Sequence, residues 1–237
     1  MAANAELVHE AGGNLEEPGC ARKPSVVLKG SNPLHVPYVT AWSPEEPADF
    51  DLIIRPGNRG IAYRDETPDD RDQRGILLKR TPDAPGRGKP RFGIVHATRQ
   101  REAMENLLCQ VCGGPADTDQ EGTLWLLQDH REDWPDWPDR MACTEPPVCA
   151  DCAALSIRSC PALRNGHVLV RVRHAPVAAV HGVLHGRSPL GSVKALTPIT
   201  ARFDDPVIPW VLASHLVREL RCGRRCGRLF STGSDAR

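Results

Sequence analysis

Short apolar runs separated by turn residues dominate the first third of the chain. The runs lie at residues 26–28, 52–54, 61–63 and 76–78. Residues 56–60, a Pro-Gly-Asn-Arg-Gly segment, join two of them as a hairpin connection would. The pattern predicts a β-rich part over residues 26–95, with a loop at residues 81–93, where proline and glycine recur. Residues 1–25 are polar and lack periodicity, which predicts a disordered leader.

Two later segments carry apolar residues at the three- and four-residue spacing of an amphipathic helix. The first begins near the possible cap Thr98 and leads directly to Cys109, and the second runs from about Val148 to Ser159. Between them, residues 123–128 are expected to form a strand, and a loop rich in Trp, Pro and Asp follows.

The C-terminal third predicts a smaller α+β part over residues 163–237. Valines alternate with mostly arginines over residues 168–173, as in a half-exposed strand, and residues 177–184 are its expected hairpin partner. Residues 210–220 carry apolar positions at helical spacing, so we expect a helix there, followed by a basic tail. The stretch 26–220 is expected to form one compact unit.

The nine cysteines include two C-x2-C pairs, Cys109 with Cys112 and Cys149 with Cys152. A C-x2-C knuckle offers two thiolates to one ion, and residues three apart share a helix face, so both pairs can meet at one metal. The alternative is four buried or reactive thiols. We expect a structural zinc site in a module spanning residues 96–162.

The order of knuckle, strand-bearing insert and cysteine-bearing helix resembles a treble clef. The arrangement also resembles that of HNH nucleases, whose treble clef carries an Asp-His pair at the end of a hairpin strand. Asp129 and His130 follow the expected strand at the corresponding place. The resemblance implies His130 as general base and Asp129 as a ligand of a catalytic metal. The central Asn of the motif is missing, however, and the helix after Cys152 offers no His or Asn.

Several other residues could carry chemistry or contact a partner. Cys143 could replace one of the four ligands, whereas Cys160 lies too far along the helix, and Cys222 with Cys226 could be a second metal pair or tail thiols. The histidines are either solvent-facing residues or a further metal site. They are His167, His174, His181 and His185. The D-W-P repeat at residues 133–138 could present tryptophans to a partner or cover a small core.

The charge is balanced over the whole chain, with 30 Lys+Arg and 30 Asp+Glu, but it is uneven along it. From Pro161 onward 12 basic residues face 4 acidic ones. We therefore expect a protein partner, or a nucleic acid bound through the basic tail. The N-terminus lacks signal-peptide features and no run of about 20 apolar residues occurs, so the expected location is the cytoplasm, without membrane insertion.

Three strings carry a wider resemblance over about residues 28–220. They are VHATRQREAMENLLCQVCGGPA, WLLQDHREDWPDWP and EPPVCADCAALSIRSCPAL. They resemble a family of uncharacterised actinobacterial proteins with phage-like labels, which implies an accessory protein rather than a housekeeping enzyme. The expected role is a zinc-stabilised binding or regulatory protein, and the alternative is a metal-dependent enzyme, either an HNH-like nuclease or a biosynthetic tailoring enzyme.

Overall fold

The computed structural model describes residues 27–28, 34–46, 50–133, 135–222 and 227–230. Its strands are β1 (Val27–Leu28), β2 (Leu34–His35), β3 (Thr40–Trp42), β4 (Leu52–Ile54), β5 (Ile61–Tyr63), β6 (Pro90–Val95), β7 (Thr118–Asp119), β8 (Gly122–Gln128), β9 (Met141–Cys143), β10 (His167–Val172), β11 (Val177–Arg187), β12 (Val193–Arg202), β13 (Val211–Leu220) and β14 (Gly227–Phe230). The helices are α1 (Ala97–Asn106) and α2 (Ala150–Ser159). The mixed α+β class is confirmed.

Two four-stranded antiparallel sheets contain most of the strand residues. Their strand orders are β14-β10-β8-β7 and β12-β11-β13-β9. The remaining pairs are β1-β2, β3-β6 and β4-β5, so the hairpin predicted around residues 56–60 is present. Because β8 pairs with β10, and β9 pairs with β13, the part that contains the cysteines is hydrogen-bonded to strands near the C-terminus.

Strand β8 is buried on both faces and is shared by two hydrophobic clusters. Trp125 and Leu127 pack against Val168 and Val170 of β10. Leu124, in contrast, lies among the four cysteines of the two C-x2-C motifs. Adjacent residues of a strand point to opposite faces, so one strand can line both clusters. The cluster that contains the cysteines is therefore joined through β8 to the cluster around Trp125.

Helix α1 begins and ends with side-chain contacts that fix its position. The His96 side chain caps its first turn by accepting a bond from the Arg99 amide, and Leu107 ends it in a left-handed conformation with φ 52°. Arg218 of β13 is buried and donates to the carbonyls of Met104 and Glu105 at the end of the helix. These contacts determine where the chain enters the first cysteine pair.

The helix predicted at residues 210–220 is wrong, because this segment is the central strand β13. Val211 and Ala213 face one hydrophobic cluster and Leu212 faces another. A bulge at Ser214 then shifts the alternation before Leu216. A strand buried on both faces has apolar residues at nearly every position, so its spacing resembles that of a helix. The described residues after 162 contain strands and short 3-10 turns, and the predicted α+β character of this part is not observed there.

Two further details of the expected topology are also corrected. Strand β11 pairs with β12 and β13, and β10 pairs with β8 and β14, so residues 177–184 are not the hairpin partner of residues 168–173. Strand β6 begins at Pro90, inside the segment predicted as a loop. The leader predicted at residues 1–25 lies outside the described residues.

Candidate metal centre

The first cysteine pair lies in a tight turn directly after α1. The Cys109 amide donates to the Gly114 carbonyl at 2.7 Å, and the Gly113 amide donates to the Cys109 carbonyl at 2.8 Å. Gly113 has φ 69°, and a Cβ on it would lie 3.0 Å from the Tyr38 ring. Both the positive φ and the nearby ring therefore favour glycine where the knuckle closes.

The second pair lies at the start of α2. Cys149 occupies the N-cap position with extended backbone, and Cys152 follows on the first turn. The preceding residue, Val148, is held by bonds in both directions, since its amide donates to Leu124 and its carbonyl accepts from Asp117. The free amides of a helix N-terminus favour negative charge, which suits thiolates at these positions.

The structure brings the four cysteines of the two C-x2-C motifs together. Their Sγ atoms all lie within 4.8 Å of one another, and the Sγ atoms of Cys112 and Cys149 are 3.9 Å apart. A tetrahedron with metal–sulfur bonds of about 2.3 Å has edges of about 3.8 Å. All four residues are buried, Cys109 completely. The cluster therefore has the dimensions and the donor atoms needed to hold one metal ion.

The electrostatics of the cluster also fit a cation. Burial is the main factor that raises the pKa of Cys109, to about 12. Burial also raises the pKa of Cys152, and the neighbouring thiols add to the shift at both residues. Backbone amides of Cys112, Cys149 and Val111 donate toward the Cys109 sulfur and oppose the shift. A bound divalent ion would supply the positive charge that four thiolates need in a buried site.

The other described cysteines do not join this cluster. The Cys143 thiol is buried beside Glu145, whose carbonyl oxygen lies 3.3 Å from it, and Cys160 caps the end of α2. Cys143 therefore does not replace one of the four ligands. Cys222 is disulfide-bonded rather than a free tail thiol, and Cys226 lies outside the described residues.

Asp129 and His130 follow β8, as predicted, but both are held by neighbouring side chains. Arg131 donates to both carboxylate oxygens of Asp129 at 2.7–3.2 Å and is the main factor that lowers its pKa. His130 is 43% exposed, with Nδ1 3.5 Å from a carboxylate oxygen of Asp133. Within the described residues, neither belongs to a group of three or more side chains positioned to hold a metal.

The histidines of the C-terminal part are likewise separated from carboxylates that could complete a metal site. His181 stacks on His215, with ring centroids 6.2 Å apart, while His185 is buried and contacts the Val183 carbonyl. Among the described residues, none of these histidines joins a metal-sized group. His215 was missed at the sequence level because its position depends on the pairing of β11 with β13.

A second group with metal-like geometry was also missed. It consists of Glu45, Asp83 and His96, whose ligand atoms lie within 4.8 Å of one another. Arg99 already bonds to two of its three members, Glu45 and Asp83, at 2.7–2.8 Å. The Glu45 carboxylate is therefore neutralised by a guanidinium, and we assign this group a structural role.

The predicted contact surfaces at the Trp loop and the tail are described only in part. Trp137 is buried with 6% exposure and packs with Trp125, so it belongs to the core. Trp134 and residues 223–226 and 231–237 lie outside the described residues. No helix in the part of the chain that the structure describes is long and apolar enough to cross a membrane.

Comparison of the chain with protein-family models, with curated proteins and with solved structures gives no match. The functional interpretation therefore depends on the geometry of the site.

Proposed function

We propose that this protein is a zinc-stabilised binding protein of the cytoplasm, in which the metal maintains the fold and other surfaces contact a partner. The proposal depends on one observation, the convergence of four buried sulfurs from Cys109, Cys112, Cys149 and Cys152. Four cysteine thiolates in a tetrahedral arrangement favour zinc over harder cations. Four protein ligands also leave no open position for a substrate, which is typical of a structural site.

The proposed zinc would connect segments that are distant in sequence. It would join the turn after α1 to the first turn of α2, while the hairpin β7-β8 lies between them in sequence. This order supports a treble-clef-like module. Zinc binding contributes on the order of 10 kcal/mol to the folding of small zinc modules, so the metal would be a main determinant of stability here.

A cytoplasmic location is supported by the cysteine usage. Six described cysteines form no disulfide, whereas Cys222 does; the six are Cys109, Cys112, Cys143, Cys149, Cys152 and Cys160. Thiols in this number are typical of reducing compartments. The partner would be a protein or a nucleic acid, and the excess of basic residues after Pro161 supports contact with an acidic surface.

Metal analysis of the natively purified full-length chain tests the proposal. We expect one zinc per chain, and we expect Cys112→Ser to lose the zinc together with the near-UV circular dichroism of the folded protein. Cys143→Ser is the matched control, because that thiol is equally buried but lies outside the cluster. Folded wild-type protein without metal, or equal zinc loss in both variants, would exclude the proposal.

The enzymatic alternatives make different predictions. A nuclease would cleave plasmid DNA with Mg²⁺ or Mn²⁺ and lose that activity in His130→Ala. Because Arg131 engages both oxygens of Asp129, we expect no cleavage by the wild type above that of the variant. Metal-dependent cleavage that requires His130 would replace the binding role with a nuclease. No described contact favours a tailoring enzyme.

A further inference from the structure

The tip of the β11-β12 hairpin presents two apolar residues on a hydrogen-bonded turn. The Ser188 amide donates to the Ser192 carbonyl at 2.8 Å, the Gly191 amide donates to the Ser188 carbonyl at 2.9 Å, and the two serine hydroxyls are 2.8 Å apart. Between them Pro189 is exposed and Leu190 is 96% exposed. The turn therefore leaves the side chains of Pro189 and Leu190 exposed to water, and together they form an apolar projection.

Two cations flank this projection. Arg187 ends β11 and Lys194 lies near the start of β12, and both are exposed. The Arg187 guanidinium lies beside Gly191, where a Cβ would be 3.6 Å from Nη2. Among the described residues, neither cation forms an ion pair with a carboxylate. Both charges are therefore available to an external anion.

The surrounding chain carries positive charge alone. Residues 161–203 contain six Lys or Arg and no Asp or Glu, although the whole protein has 30 of each sign. Strand β12 lies at the edge of its sheet and is exposed along most of its length. A polyanion could therefore approach the hairpin without meeting a carboxylate from the same segment.

We propose that the β11-β12 hairpin binds duplex nucleic acid, with Pro189 and Leu190 entering the minor groove between base pairs while Arg187 and Lys194 contact the flanking phosphates. Apolar wedges of proline or leucine with adjacent cations are a recurrent means of opening a base step. A membrane surface fits less well, because one exposed leucine and two cations bury too little apolar area for stable attachment.

This inference goes beyond the proposed zinc-dependent role and involves a different sheet. Its test uses full-length, metal-loaded protein and fluorescence anisotropy with a labelled 20-base-pair DNA duplex that contains a central TA step. We expect wild-type dissociation constants on the order of micromolar at 50 mM NaCl. Arg187→Ala/Lys194→Ala should weaken binding about tenfold or more. It should also reduce the slope of log K against log [NaCl] by the amount expected for the loss of nearly two phosphate contacts.

Leu190→Ser separates wedge insertion from charge. It should weaken binding several-fold with an unchanged salt dependence, and it should abolish the fluorescence change of 2-aminopurine placed at the central step. Arg87→Ala/Arg158→Ala is the matched control, since it removes two exposed arginines of other segments that form no ion pair among the described residues, and it should leave binding unchanged. RNA duplex and single-stranded DNA probes of the same sequence distinguish the form of nucleic acid that is bound.

Three outcomes would overturn the proposal. They are no duplex binding by the wild type at 50 mM NaCl, equal losses in the hairpin and control double variants, and an unchanged 2-aminopurine response in Leu190→Ser. The zinc content of each preparation is measured separately. A failure of the hairpin can therefore be distinguished from a failure of the metal centre.

Discussion

The side chain of Gln100 bonds to both backbone groups of Leu216. Its Oε1 accepts from the Leu216 amide at 3.0 Å, and its Nε2 donates to the Leu216 carbonyl at 2.9 Å and to the Thr144 carbonyl at 2.7 Å. Gln100 is completely buried. One amide group thus attaches α1, which leads into the candidate metal centre, to the central strand β13.

Replacing Gln100 by Leu should destabilise the protein strongly. The apolar side chain has similar size but removes the partner of two buried backbone groups of Leu216 and of the part-buried Thr144 carbonyl. Each buried group left unpaired costs about 1–3 kcal/mol. We expect a decrease of at least 2 kcal/mol in the free energy of unfolding, measured by urea titration with excess zinc. Gln73→Leu, at an exposed position, is the control. Equal stability of the two variants would contradict this assignment.

The buried pair of Glu45 and Arg99 gives a second prediction. Burial alone would raise the pKa of Glu45, but Arg99 and the Ala84 and Trp42 amides lower it below its ordinary value. Arg99→Met leaves this carboxylate buried without its cation, and breaking one side of such a pair costs about 3–5 kcal/mol. The double variant Glu45→Gln/Arg99→Met should recover part of that loss.

A double-mutant cycle in urea measures the interaction between Glu45 and Arg99. We expect a coupling of at least about 1 kcal/mol, because both side chains are almost completely excluded from water. The Arg64–Asp51 pair, in which both side chains are more than half exposed, should give a much smaller value. Additive effects at Glu45 and Arg99 would contradict the structural role that we assign to this group.

The convergence of the two cysteine pairs could be predicted from sequence, whereas the Glu45 group could not. A C-x2-C pair is a local pattern, since one turn or one helical turn brings both sulfurs together. Glu45 and Arg99 are 54 residues apart and meet because β3, which precedes Glu45, pairs with β6, which leads into α1. No short motif reports such a contact, and the same is true of the bonds between Gln100 and Leu216.

The fold could be predicted where one face of an element is polar. Strand β10 alternates buried valines with partly exposed residues and was identified correctly. Strand β13 is buried on both sides, so its pattern lacks the alternation that distinguishes strands from helices. The pairing of β8 with β10 joins residues 39 to 49 positions apart in sequence, and local periodicity carries no information about it.

His215 should make stability depend on pH below neutrality. Burial lowers its pKa to about 4, whereas an unfolded histidine titrates near 6.5. A depressed pKa in the folded state means that the unfolded chain takes up the proton first. The contribution of neutral His215 to the free energy of unfolding is therefore complete above about pH 6.5 and is lost as pH falls toward 4. About 2 kcal/mol is lost by pH 5.

Urea unfolding of wild type and His215→Asn at pH 7.5 and pH 5 isolates this effect. The wild type should lose about 2 kcal/mol more than the variant between the two values, while protonation elsewhere affects both proteins equally. His174→Asn, at an exposed position, should follow the wild type. Parallel stability curves for wild type and His215→Asn would show that His215 is not buried in its neutral form.

Gly113 gives a prediction that concerns the metal centre directly. A Cβ at this position would require a left-handed conformation at φ 69° and would lie 3.0 Å from two atoms of the Tyr38 ring. Left-handed backbone costs about 1–2 kcal/mol for alanine, and the ring must also move. Because Gly113 closes the turn that carries Cys109 and Cys112, we expect Gly113→Ala to lower the zinc affinity about tenfold.

Competition with a chromogenic chelator measures that affinity, and Gly75→Ala provides a close control. Gly75 also has a positive φ, 78°, but nothing lies within 4 Å of a Cβ added there, and it is distant in sequence from the cysteine pairs. Gly75→Ala should therefore reduce overall stability through backbone strain alone and leave zinc affinity unchanged. If both alanine variants retain wild-type zinc affinity, the geometry of the Gly113 turn does not determine metal binding. If both variants lose zinc affinity equally, the loss follows from general destabilisation rather than from a change at the site.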